Sequence, residues 1–144
     1  ALMERMIICK QVEDVHTNVL SQMIAYEYLK RYSIDEHIAL LREVYGRRCR
    51  LMTECMDKYF PKCVTHTNPE GGIFIFCTMP EQFDSKEVLK AALEKGVAFV
   101  PGSATMPDDK AKYSTFRMNY SNASEKNIEK GIKLLGETLC ELMD

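Results

Sequence analysis

The chain has 144 residues, of which 46% are hydrophobic and 28% charged, with a net charge of −2. Those values suit one compact domain with a core of its own and exclude a disordered chain. They supply no basic face for nucleic acid, and no apolar stretch in the sequence is long enough to span a bilayer.

The six cysteines, Cys9, Cys49, Cys55, Cys63, Cys77 and Cys140, are scattered, without a CxxC pair or a histidine at ligand spacing. Free thiols in a reducing cytosol account for them better than a zinc site or a disulfide framework. The opening Ala1-Leu2-Met3-Glu4, which lacks an initiator methionine, leads us to expect a piece of a longer protein.

The first half reads as helices. Residues 1 to about 14 interleave Leu2, Met6, Ile7 and Cys9 with Glu4, Arg5 and Lys10, a short amphipathic pattern. A second helix begins near Thr17 or Asn18, either of which can cap it, with Leu20, Ile24 and Tyr28 on one face. Ser33 and Glu36 make a capping-box pattern for a third helix. Its stripe is Ile38, Leu41, Tyr45, Met52, Cys55 and Tyr59, interrupted by Arg48, and it must stop before Pro61. Arg47, Arg48 and Arg50 sit among Glu43, Glu54 and Asp57 and read as a solvated helix face.

After Pro61 the period changes. Residues 63–67, a turn at 68–72 carrying Gly71-Gly72, and residues 73–78 read as strand, turn and strand. Asp84 and Glu87 open a helix bearing Val88, Leu89, Ala92 and Leu93, closed by Lys95-Gly96. A short apolar strand at 97–100 runs into Pro101-Gly102, where the glycine ends the strand, and a polar loop occupies 103–114. In residues 115–120, Phe116, Met118 and Tyr120 alternate with Arg117 and Asn119, so the arginine points off the apolar face. A last helix, capped by Ser124, packs through Ile128, Ile132, Leu135, Leu139 and Leu142. The sum is an α+β architecture, a small, mostly antiparallel sheet covered by helices on one side. Residues 1–32 form a helical lead-in and residues 33–144 the domain proper.

Few residues offer chemistry. His16, His37 and His66 lie far apart and read as structural or surface groups. No P-loop, G-x-S-x-G or G-x-G-x-x-G pattern occurs, and Gly71-Gly72 lacks the basic residue and following helix of a phosphate cradle. Arg117 is the exception. A guanidinium fixed on a strand, off the core face, suits a bidentate grip on a carboxylate, and the plainer alternative is a surface ion pair.

Gly96-Val97-Ala98-Phe99-Val100-Pro101-Gly102 followed by Phe116-Arg117-Met118-Asn119-Tyr120-Ser121 resembles the end of fold-type I pyridoxal-phosphate (PLP) aminotransferases, in the branch with 2-aminoadipate and kynurenine aminotransferases. Lys10-Gln11, Leu20-Ser21-Gln22, Tyr26-Glu27-Tyr28-Leu29, His37-Ile38, Tyr45, Arg48, Pro69-Glu70-Gly71-Gly72, Glu125 and Gly131-Ile132 agree in the same order. The resemblance implies the C-terminal small domain of a cytoplasmic, homodimeric enzyme that moves an amino group between an α-amino acid and a 2-oxo acid. It implies that residues 1–32 pack on a large domain, and it places Arg117 on the substrate α-carboxylate.

It also implies that the lysine holding PLP, and the aspartate facing the pyridinium nitrogen, lie upstream, since no Ser-x-Ser-Lys or Ser-x-x-Lys stretch occurs. On that account the chain alone is inactive, with no cofactor-binding, catalytic or metal-binding residue of its own. Many relatives place an aromatic residue after the Pro-Gly turn, whereas this chain has Ser103-Ala104-Thr105-Met106. Two alternatives stand beside this one. The first is the effector domain of a winged-helix transcription regulator with an aminotransferase-like domain. The second is an α+β interaction domain with no site, in which Arg117 is dispensable.

Overall fold

The computed structural model describes residues 2–13, 15–108 and 111–143. The chain divides into two units, residues 1–41 and 42–144. The division falls inside the third helix, whereas the sequence boundary was expected at 32/33.

The first unit is helical. Helix α1 spans Leu2–Glu13 and α2 spans Val19–Arg31, and neither contains a buried residue. Asn18 caps α2, its side-chain oxygen accepting from the amide of Ser21 at 3.0 Å. Leu20 and Ile24, expected on a packing face, are largely exposed, as are Leu2 and Met6.

Helix α3, Ile34–Tyr59, opens on half of the capping box: the amide of Glu36 donates to Ser33 Oγ at 3.2 Å. It ends two residues before Pro61. Its buried face is Cys49, Met52, Cys55 and Met56. Ile38 is exposed, so the expected stripe is corrected at its start. Cys49 and Met56 broaden the face further down, where α3 packs on the rest of the second unit.

The second unit carries one antiparallel sheet in the order β1-β2-β4-β3, formed by Thr65–His66, Phe74–Thr78, Thr115–Asn119 and Val100–Pro101 respectively. The centre of the sheet is the β2–β4 pair, in register from Phe74↔Asn119 to Thr78↔Thr115. Two strands are shorter than expected. Residues 63–67 contribute only β1, and the strand expected at 97–100 begins at Val100 and takes in Pro101. Val97 and Phe99 are buried as connecting residues instead, and Pro101 is tolerated because β3 is an edge.

Helix α4, Ser85–Glu94, is capped by Asp84, whose carboxylate accepts from the amide of Lys86. It ends at Lys95, followed by Gly96 at φ +79°. It buries Ser85, Val88 and Ala92 but leaves Leu93 exposed, because Leu93 lies one step round the helix from that face. Helix α5, Glu125–Met143, is capped by Ser124, whose Oγ accepts from the amide of Asn127. It buries Ile128, Ile132, Leu135 and Leu139, and its last turn packs Met143 on the core and leaves Leu142 exposed. The core thus lies between α3, α4 and α5 and one face of the sheet.

Gly136 marks a close approach of α5 to the end of α3. A Cβ there would stand 2.4 Å from the Tyr59 carbonyl oxygen at the end of α3. A Cβ on Gly131, one turn earlier in α5, would meet nothing within 4 Å. Gly136→Ala should therefore destabilise the chain by about 1–3 kcal/mol despite alanine's better helix propensity. Gly131→Ala should be neutral or stabilise it by up to about 1 kcal/mol. Urea unfolding of the two variants checks both signs.

Cys77 gives a second check. Its burial on the core face pushes the thiol from its ordinary 9.0 up to about 12. The unfolded thiol loses its proton at lower pH than the folded one. The stabilising contribution is therefore whole below pH 9 and is lost progressively between 9 and about 12. In urea titrations across that window, stability should fall less steeply with pH for Cys77→Ala than for the parent sequence.

Candidate functional site

Strand pleat decides which side chains can reach a ligand. Along β4, Phe116 and Met118 go to the core, and Tyr120 just beyond is buried as well. Thr115, Arg117 and Asn119 take the opposite face. Along β2, Ile75 and Cys77 go inward, which leaves Phe74 and Phe76 on the face of Arg117. Phe76 stands directly opposite Arg117, and Val100 of β3 flanks it on the other side.

The Arg117 guanidinium lies over the ring of Phe74, its Cζ 4.9 Å from the ring centroid. Its Nε is buried and has no hydrogen-bond partner among the described residues. None of the ion pairs among the described residues involves Arg117. The surface-pair alternative for this arginine thus finds no partner there. A half-buried guanidinium with unspent donors is costly unless an acceptor arrives, and it has the planar geometry that a carboxylate matches.

Its neighbours are held by the rest of the fold. Asn119 Oδ1 accepts from the amide of Ser121 at 2.8 Å and from Ser121 Oγ at 2.7 Å, so Asn119 closes the turn after β4. Arg48 of α3 donates to the Ser121 carbonyl, and Arg47 pairs with Glu125 of α5 at 2.5 Å. Arg47 lies on the solvated face expected of it while pairing with α5, and half-buried Arg48 departs from that face by joining α3 to the turn after β4. The Tyr120 hydroxyl donates to the Gly72 carbonyl at 2.9 Å, tying the turn before β2 to the end of β4. Gly72, at φ +86°, needs its freedom for that turn.

At the other end of β4 the chain crosses itself. A Cβ on Gly102 would lie 2.6 Å from Thr115 Oγ1, 2.7 Å from the Thr115 carbonyl oxygen and 2.9 Å from Tyr113 Cβ. Gly102 therefore does more than end a strand: it lets the Pro101 turn pass over the entry to β4. The fully buried Ser85 fixes that crossing, its Oγ accepting from the Gly102 amide at 3.2 Å and its own amide donating to the Tyr113 carbonyl at 2.8 Å. The hydroxyl of Thr115 is buried there without a partner.

The histidines take the structural and surface roles expected of them. His16 and His37 are exposed, and His66 Nε2 meets Asp57 at 3.0 Å. Sequence reasoning found Arg117 but missed Phe74 and Ser85. The alternation of residues 73–78 separates Phe74 from the core-facing Ile75, but the strand register that brings Phe74 near the arginine is not in that segment. No sequence signal distinguished Ser85 from any serine after a cap.

The α+β unit thus presents, off its core face, a guanidinium with no ion-pair partner among the described residues. No family model matches the chain. Aromatic-amino-acid aminotransferase 1 of Thermococcus litoralis is 40% identical over 94% of the chain. A kynurenine aminotransferase of Pyrococcus horikoshii superposes with a TM-score of 0.87 at 38% identity, over 99% of the chain. The α-aminoadipate aminotransferase LysN of Thermus thermophilus, solved with N-(5'-phosphopyridoxyl)-L-leucine, does so with a TM-score of 0.86 at 31% identity. It too is matched over 99% of the chain. A helix-turn-helix regulator of Bacillus subtilis matches at 27% identity.

The chain spans about a third of the length of these relatives: 32% of the first, 35% of the second and 36% of the third. By sequence and fold the chain is similar to about a third of the length of these aminotransferases, 2-aminoadipate and kynurenine aminotransferases among them.

Ser85 yields a test of the site's frame. Ser85→Ala leaves the buried Gly102 amide without an acceptor and should cost about 1–3 kcal/mol. The Gly102 amide should also lose its protection in hydrogen exchange, while the Ile75 amide in β2 keeps its own.

Proposed function

We propose that the chain is the C-terminal portion of a PLP-dependent aminotransferase, and that Arg117 holds the α-carboxylate of its amino acid and 2-oxo acid substrates. One observation carries this: Arg117 stands off the core face of a rigid strand, its Nε buried and unpartnered and its guanidinium laid on Phe74. Both substrates of a transaminase carry a carboxylate at the same distance from the reacting carbon, so one fixed fork orients them in both half-reactions. Strand pairing on both sides, to β2 and β3, leaves that fork little freedom of position.

PLP, when bound, supplies the electron sink for breaking the bond at the α-carbon. In this reading the cofactor is held by a part of the protein outside this chain. No described lysine is buried, and Lys95, the single half-buried one among them, is paired with Glu141. The lysine that carries the cofactor therefore belongs, in this reading, to a part of the protein outside the chain, and the chain's task is to bind and orient substrate. The exposed apolar residues of α1 and α2, Leu2, Met6, Leu20 and Ile24 among them, fit a segment that packs on that part. A homodimer in the cytoplasm, as the resemblance implies, completes the proposal. Across the chain, identity to aminotransferases at 40% against 27% to the regulator favours the enzyme over an effector domain.

The test is kinetic, in the whole protein. Losing a charge-assisted two-point contact in a desolvated site typically costs about 2–5 kcal/mol. Arg117→Ala should lower kcat/KM for amino acid and oxo acid by similar large factors while leaving PLP absorbance and Tm nearly unchanged. Arg117→Lys should recover only part, because an ammonium keeps the charge and loses the planar geometry. Near-normal turnover in the alanine variant, or loss of cofactor in place of substrate affinity, rules Arg117 out as the anchor.

A further inference from the structure

We propose that Phe74 is a positioning residue that aims the Arg117 guanidinium, an inference that rests on Arg117 being the carboxylate anchor. The sheet register sets the geometry. Phe76, not Phe74, is directly across from Arg117, and Phe74 faces Asn119. Arg117 nevertheless reaches diagonally to Phe74 and places its Cζ 4.9 Å from that ring's centroid. Diagonal neighbours on one sheet face are within reach for a long side chain and an aromatic ring.

Phe76 is the ring directly across from Arg117, yet the cation–ring contact is made with Phe74. Asn119, opposite Phe74, has its side-chain oxygen engaged by Ser121, and Val100 offers no polar atom. The arginine is thus swung along β4 toward the start of β2, away from the Gly102 crossing.

An aromatic face suits this task for a chemical reason. An acidic or amide neighbour would also fix the guanidinium, but it would occupy the same N–H groups that a substrate carboxylate needs. A ring attracts the cation through its π face and consumes no hydrogen-bonding edge. The Nε that lies buried without a partner is consistent with a group that is held by stacking and left unsatisfied by the protein.

The experiment measures preference for a carboxylate in the whole PLP-loaded protein. Inhibition constants are taken for 3-phenylpropionate and for the neutral 3-phenylpropanamide, and their ratio isolates recognition of the charged group. Phe74→Leu should reduce that preference roughly three- to thirtyfold, with the amide bound about as before. Phe74→Tyr, which keeps the ring face, should hold it. Fluorine substituted progressively on the Phe74 ring, almost without change of shape, should erode the preference in step with the weakened π face, which keeps the test valid if the leucine variant folds poorly.

A preference unchanged in Phe74→Leu and across the fluorinated rings overturns the proposal, as does an equal loss in Phe74→Tyr. Arg117→Ala separates the two ideas. If it abolishes the preference while the Phe74 variants do nothing, the anchor stands and the positioning role falls. If it leaves the preference intact, the anchor itself falls and the positioning role goes with it. In the 144-residue chain alone, the Arg117 Nε proton should show a ring-current shift that Phe74→Leu removes, and an unshifted resonance overturns the stacked geometry.

Discussion

The pairing of β2 with β4 is the constraint on which the rest of the molecule depends. Five residue pairs, Phe74↔Asn119 through Thr78↔Thr115, fix which side chains share a face. One face carries Ile75, Cys77, Phe116 and Met118 into the core. The other carries Phe74, Phe76 and Arg117. A slip of one residue would exchange the two sets, putting a guanidinium among aliphatic side chains and the core residues in water. The register that secures the core is therefore the same register that exposes the arginine, and neither can be altered alone.

The register is guarded at both ends of β4 by different chemistry. At its start, Gly102 passes so close to Thr115 that no side chain fits, and buried Ser85 ties the crossing with two hydrogen bonds. At its end, the Tyr120 hydroxyl holds Gly72, Asn119 closes on Ser121, and Arg48 takes the Ser121 carbonyl. These contacts join α3, α4 and the turn before β2 to one five-residue strand. The bonds to the Gly102 amide and to the Gly72 and Ser121 carbonyls satisfy buried or half-buried backbone groups, which would otherwise destabilise the fold by more than the bonds themselves contribute.

What was legible in the sequence follows from the range of the interactions. Caps and stops are local, so Asn18, Ser33, Asp84, Gly96, Ser124 and Pro61 all mark boundaries found in the structure. Alternation in residues 115–120 is local as well, and it turned Arg117 outward. Strand length is not local: 63–67 and 97–100 have strand-like composition, but the strands that form among the described residues are Thr65–His66 and Val100–Pro101. Nor is the width of a buried face. Leu93 and Leu142 are apolar at helical spacing, yet both lie to the side of the face that meets the core. The stacking of Phe74 on Arg117 needed the β2–β4 register, which no single segment encodes.

Arg48 and Arg117 show why side-chain type alone could not separate structure from function. Both interrupt an apolar pattern, and both end half-buried. Arg48 donates to the Ser121 carbonyl, so its desolvation is answered within the chain and its role is to fix α3 against the end of β4. Arg117 has a buried Nε with no acceptor among the described residues, and its guanidinium lies over the ring of Phe74, which engages the cation without using any N–H. Desolvating an arginine costs free energy, and a fold relieves that cost when it can. The two arginines of this chain therefore differ in where their donors go: those of Arg48 reach a carbonyl of the fold, and the buried Nε of Arg117 is left for an acceptor from outside it.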